Sequence, residues 1–186
     1  MQNFFQCCYH SVLLAVIGAL CITTSAVATE PQSELYQLYL VRHAQKQQVS
    51  SAESDPALSV CGLAQAKALA TLLQQVRLPT LYHSPYQRTR QTASALLQQG
   101  RQLQQYQTAA AATLAQQLLQ QQQSALVVGH SNTIPALVSL LTGREVPAMD
   151  EQQYGLIYQL NFSGRQLLTL QLLQLPAPAA CQPAAR

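Results

Sequence analysis

Leu38-Tyr39-Leu40-Val41-Arg42-His43-Ala44 is an apolar run that ends abruptly on an arginine and a histidine. Residues 35–41 together are nearly continuous in apolar side chains, the pattern of a strand buried on both faces. Such a strand needs helices above and below it, and the chain downstream supplies them. Ser59 is placed to cap a helix over about residues 62–75, with Leu63, Ala66, Leu69, Ala70 and Leu73 on one stripe. Pro79 closes the connection and residues 80–83 read as a brief strand. Residues 86–99 read as the next helix, stopped by Gly100. A short strand at 103–107, an Ala/Leu/Gln helix at 109–123, a second buried strand at 125–128 and a helix at 134–141 closed by Gly143 follow. Residues 154–162 and 166–175 form two strands joined at Ser163-Gly164, an antiparallel hairpin. The expected fold is α/β: a three-layer sandwich with a mostly parallel central sheet flanked by helices. Ligands of such sheets bind outside the C-terminal strand ends, where Arg42-His43, His83-Ser84 and Gly129-His130 all fall.

The 186 residues, 48% hydrophobic, suffice for one domain with a core and not for two. Residues 11–22 are apolar but short for a membrane span, and Ala26-Val27-Ala28 follows with the small-x-small pattern of a signal peptidase site. Residues 1–28 are therefore read as a cleaved signal peptide, residues 29–175 as the domain and residues 176–186 as a Pro/Ala-rich tail. Met1 to His10 lack Lys and Arg, so an uncleaved N-terminal anchor is the alternative. Cys21 invites a lipoprotein reading, but Leu20 is large for the residue before a lipidated cysteine. Export to the periplasm or beyond is the expected localisation. Cleavage removes Cys7, Cys8 and Cys21, leaving Cys61 and Cys181 as a candidate disulfide in an oxidising compartment. Two unpaired thiols are the alternative. The net charge of +3 comes without a Lys/Arg run or aromatic-basic interleaving, which argues against nucleic acid as a partner. With 9% charged residues, glutamine takes over much of the solubilising, and Gln116-Gln117 with Gln120 to Gln123 reads as the polar face of a helix.

Two arginines and two histidines on one rim suit a phosphate. A phosphomonoester dianion needs planar, positive donors around its non-bridging oxygens, which Arg42 and Arg88 supply in bidentate form. The turn Gly129-His130-Ser131-Asn132 opens a helix, so its backbone N–H groups can add to an anion site, with Ser131 and Asn132 as substrate contacts. One imidazole kept neutral by cationic neighbours is a competent nucleophile toward phosphorus. The other, if protonated, stabilises charge on the transferring group. No cofactor and no metal is called for. The histidines lack close ligand spacing, no carboxylate adjoins His43 or His130, and no Gly-rich phosphate loop is present.

Leu40-Val41-Arg42-His43-Ala44, Leu58-Ser59 with Gly62, Ser84-Pro85-Tyr86-Gln87-Arg88-Thr89-Arg90-Gln91-Thr92-Ala93 and Val128-Gly129-His130-Ser131-Asn132 together resemble the histidine phosphatase superfamily, with its phosphoglycerate-mutase-like fold. The resemblance spans about residues 35–160. It implies His43 as the phosphorylated nucleophile, Arg42 and Arg88 as phosphate clamps and His130 as the second pocket histidine; the leader points to an exported branch. One departure stands out. Members commonly protonate the leaving oxygen with a carboxylic acid beside the second histidine or after the Arg-Thr helix. Here Ser131 takes the first place, and no Asp or Glu lies between Asp55 and Glu145. Gln45 replaces the familiar glutamate after Arg-His-Ala, and Gln107 the aspartate often found after Tyr. A general acid contributes roughly 10²–10⁴-fold. Either Glu53 or Asp55 reaches in from the first loop, or the leaving group departs unaided; an acid that survives loss of both would have to be Glu145, Asp150 or Glu151. A protein that binds phosphate or a phospho-sugar without turning it over is the alternative. The expected substrate is a small phosphorylated molecule, and a membrane partner is not expected once the leader is cleaved.

Overall fold

A computed structural model describes residues 34–48, 53–98 and 100–181, so the expected signal peptide lies outside the described residues. The described residues make one compact unit. Its strands and helices run β1 (Leu35–Arg42), α1 (Val60–Leu72), β2 (Thr80–His83), α2 (Gln87–Ser94), β3 (Gln102–Gln105), α3 (Ala111–Gln121), β4 (Ala125–Gly129), α4 (Thr133–Thr142), β5 (Leu156–Ser163) and β6 (Gln166–Gln174). They build one six-stranded sheet in the order β3-β2-β4-β1-β5-β6. The first four of these run parallel; β5 pairs antiparallel with β1, and β6 pairs antiparallel with β5 at the edge. The fold is the expected α/β sandwich.

β1 sits between β4 and β5, so Leu38 to Arg42 are buried on both faces as their composition requires. One face carries α3 and α4, whose Leu114, Leu118, Ile134, Leu137 and Leu141 pack on Leu38, Leu40 and Val127. The other carries α1 and α2, with Leu69, Leu73, Ala93 and Leu96 against Tyr39, Val41 and Val128. Ser59 caps α1 by accepting the Gly62 N–H at 3.0 Å, and Gly143 (φ 67°) ends α4 in the left-handed region that favours glycine.

Several boundaries differ from expectation. Leu63 is exposed, because α1 turns only Cys61, Gly62, Ala66 and Leu69 fully inward. α2 stops at Ser94, well before Gly100. There the Leu96 and Leu97 amides bond back to Ala93 and Ser94 carbonyls (both 3.0 Å), and this tighter turn tips Leu96 into the core. The helix expected from residue 109 begins as a 3-10 turn over Thr108–Ala110 and ends on Gln122 at φ 50°. Its glutamines do more than face water. Gln121 accepts from the buried Tyr82 hydroxyl at 3.0 Å, and Gln117 donates to the same oxygen at 3.2 Å. The hairpin turns on Gly164-Arg165, one residue later than expected. The tail is not featureless: Ala179–Cys181 forms a 3-10 turn, and Cys181 is joined to Cys61 at the start of α1.

Candidate active site

Parallel strands end together, so the three motif segments arrive on one rim by topology alone. Arg42 is the last residue of β1, and His43 is fixed behind it by its amide, which donates to Gly129 O at the end of β4 (2.9 Å). The chain then turns sharply under the start of α1. Ser59 N–H donates to Gln45 O (2.9 Å), Ser59 Oγ donates to Gln45 Oε1 (2.7 Å), and Gln45 N–H donates to Gln65 Oε1 (2.8 Å). Gln45, in the place of an expected glutamate, is thus a clasp for this turn. Gly62 makes the approach possible, since a Cβ there would run into the Gln45 carbonyl. Thr92 of α2 accepts the Ala44 N–H at 3.0 Å.

His43 is 4% exposed and its two ring nitrogens have distinct partners. Nδ1 lies 2.8 Å from Ala44 O, which can only accept, so the proton sits on Nδ1. Nε2 turns its lone pair to Arg88 Nε, which donates to it at 3.3 Å. Burial, with Arg42, His130 and Arg88 nearby, pushes the imidazole down to about 3 against the Ala44 hydrogen bond, which raises it. The ring is neutral at physiological pH. His130 stands edge-on to it, ring centroids 5.3 Å apart, and is itself pushed down to about 4 by burial, Arg88 and Arg42.

The two arginines are held differently. Arg42 is buried under the loop after α4: its Nη1 donates to the carbonyls of Asp150 (3.1 Å), Glu151 (2.7 Å) and Gln153 (3.0 Å), and its guanidinium lies 4.3 Å over Tyr154. Buried Nε has no partner among the described residues. One edge of Arg42 is spent on orientation, which leaves the rest for an anion. Arg88 lies 4.3 Å over Tyr86, with Nη1 3.3 Å from Asp55. Asp55 also accepts the Gln87 N–H through both oxygens (2.9 and 3.0 Å), closing the start of α2.

Arg42, His43, Arg88 and His130 share a cavity of about 380 Å³. Ser131 and Asn132 line it, as expected, but the His130 amide is taken by Thr133 Oγ1 (2.9 Å) and is not available to an anion. Glu53 is exposed and does not line it, and Asp55 stays at its edge on Arg88 and Gln87. Lys46, Thr108 and Glu151 also line the cavity; sequence reasoning passed over Lys46 and Thr108 and held Glu151 only as a fallback proton donor. Glu151 sits in a loop with no motif, brought in only because Arg42 gathers that loop's carbonyls. Among the described residues, no three His, Cys, Asp or Glu side chains lie together as a metal site.

The model for the histidine phosphatase superfamily (branch 1) matches residues 38–110. No protein of curated function matches the chain. Among solved structures, the protein histidine phosphatase SixA complexed with tungstate is 19% identical, with a TM-score of 0.61 over 74% of this chain and 96% of that one. A putative alpha-ribazole-5'-P phosphatase from Escherichia coli is 18% identical, with a TM-score of 0.60 over 75% of this chain and 96% of its own. A mycobacterial glucosyl-3-phosphoglycerate phosphatase is 17% identical, with a TM-score of 0.58 over 78% of this chain and all of its own. At such identities these likenesses show the phosphoglycerate-mutase-like fold; the resemblance read from the motifs is borne out.

Proposed function

We propose that this chain is a branch 1 histidine phosphatase, exported and metal-independent, working through a phosphohistidine at His43. The observation that carries the reading is the state of His43: neutral, with its proton on Nδ1, its Nε2 lone pair held only by the long 3.3 Å contact from Arg88 Nε, and Arg42, Arg88 and His130 around the same cavity. A phosphoryl group displaces the Arg88 contact from Nε2, and both guanidiniums offset the negative charge on its oxygens. The N–P bond forms as the P–O bond breaks, and the leaving oxygen departs with the electron pair. Water then attacks phosphorus, releasing phosphate and restoring His43. Solved structures similar to this chain include a protein histidine phosphatase, a putative alpha-ribazole-5'-P phosphatase and a glucosyl-3-phosphoglycerate phosphatase, which supports hydrolysis of a phosphorylated substrate without choosing one.

Asp55 is committed to Gln87 and Arg88 and Glu53 does not line the cavity, so we assign the enzyme leaving groups that need little protonation, aryl phosphates or phosphoanhydrides before alkyl esters; comparable kcat/KM on alkyl esters would instead make Glu151, which lines the cavity, the donor. The same commitment of Asp55 favours, as a second reading, a phosphate-binding protein without turnover. Purified protein with p-nitrophenyl phosphate in chelator separates these. Release of phosphate that His43→Ala abolishes supports the enzyme. Phosphate binding by calorimetry with no hydrolysis across a phosphorylated panel supports the binder, and activity that chelator removes while His43→Ala keeps it rejects the mechanism. N-terminal sequencing of the exported protein tests cleavage after Ala28.

A further inference from the structure

His130 owes its protonation pattern to two hydroxyls that never touch the cavity. Ser84 and Thr89 are fully buried. Thr89 Oγ1 lies 2.8 Å from Ser84 O, 2.7 Å from Tyr86 O and 2.9 Å from Ser84 Oγ. Carbonyl oxygens only accept, so the single Thr89 proton is spent on them. The contact between the hydroxyls then requires Ser84 to donate to Thr89. With its own proton used, Ser84 Oγ offers only a lone pair to His130 Nε2, 2.8 Å away. Nε2 must therefore carry a hydrogen, and Nδ1, which makes no hydrogen bond among the described residues, is the nitrogen left for the cavity.

We propose that Ser84, oriented by Thr89, is a positioning residue that holds His130 as the Nε2–H tautomer, so that capture of an anion in the cavity adds a proton at His130 Nδ1. The anion supplies the charge that an imidazolium between Arg42 and Arg88 lacks in the empty site. The proton comes from solvent and leaves to solvent when the anion goes. The coupling to anion capture rests on the phosphate-site reading above; the tautomer does not.

The test is long-range ¹H–¹⁵N NMR on the full chain with labelled histidine, His130 being assigned by its loss in His130→Asn. Sulfate is the probe, since it brings no proton at neutral pH. Wild-type protein should show Nε2–H alone at pH 7 and both nitrogens protonated once sulfate saturates. Thr89→Ser should behave as wild type. Thr89→Val frees the Ser84 proton to donate to Nε2, so the tautomer should invert to Nδ1–H and sulfate should bind without proton uptake. Nδ1–H in the wild-type protein, or an unchanged tautomer in folded Thr89→Val, overturns the assignment. Sulfate shifting His43 while leaving Nδ1 bare overturns the coupling alone. If neither sulfate nor inorganic phosphate moves either ring, the coupling and the phosphate site fail together, while the tautomer stands or falls on the ligand-free spectrum.

Discussion

A buried imidazole between guanidiniums resists protonation, and both cavity histidines are in that position. The consequence for stability has a definite sign. An unfolded histidine titrates at its ordinary value of 6.5, whereas folded His43 and His130 hold out to about 3 and about 4. Between those limits the unfolded state binds more protons, so stability is full above pH 6.5 and is lost progressively as pH falls toward 4. Urea unfolding at steps from pH 7.5 to 4.5 should show this decline, and His43→Asn should flatten it; parallel profiles would mean that His43 titrates normally. Asp55 gives a second expectation. With its oxygens on Gln87 N–H and Arg88, it orients a phosphate clamp and is not placed as a proton donor. Asp55→Asn should lower kcat/KM on p-nitrophenyl phosphate and on an alkyl phosphate by the same factor, roughly tenfold to a hundredfold. A loss confined to the alkyl ester would restore Asp55 as the acid.

Helix α1 is where local sequence and catalytic geometry meet. Its first turn carries Gly62 because the Gln45 carbonyl, two residues past His43, occupies the space of a side chain. Gly62→Ala must push that turn aside, at a cost of about 1–3 kcal/mol, and should also disturb His43. Gly143→Ala, with a left-handed backbone but open space around it, should cost about 1 kcal/mol and leave kcat/KM alone. If both variants keep full activity at equal stability, the Gln45 turn does not control His43. The far end of α1 depends on Arg101, whose guanidinium donates to the carbonyls of Leu73, Gln74, Val76 and Leu96. The contrast explains what the sequence could disclose. The Ser59 cap, the Gly143 stop and the strand ends at His43, Ser84 and His130 rest on local chemistry or on one topological rule, and each was legible. The early end of α2, the exposure of Leu63, the Gln117 and Gln121 bonds to Tyr82 and the gathering of residues 150–153 by Arg42 depend on partners distant in the chain. No periodicity encodes those, and for the same reason the sequence offered Glu151 only as a fallback donor.

At the scale of the whole molecule, the sheet places β1 centrally and the disulfide closes the chain around it. The Cys61–Cys181 link spans 120 residues, from the first turn of α1 to the turn beyond β6. It encloses β2, α2, β4 and α4, with Arg88 on α2 and His130 between β4 and α4, while β1 and His43 lie outside the loop. By the chain-entropy model, closing a loop of that length contributes ~4–5 kcal/mol, acting on the unfolded chain. The folded site itself needs nothing from it, because His43 is fixed by Gly129 O and by the Gln45 turn. Cys61→Ser with Cys181→Ser should therefore lower the unfolding midpoint by roughly ten degrees or more for a domain of this size. It should leave kcat/KM on an aryl phosphate unchanged well below that midpoint. Oxidised wild-type protein treated with reductant under partial denaturation should reach the midpoint of the double variant. A midpoint indifferent to both treatments would mean that the link is not formed in solution; a drop in kcat/KM at full folding would mean that the tail, through α1, reaches the site after all.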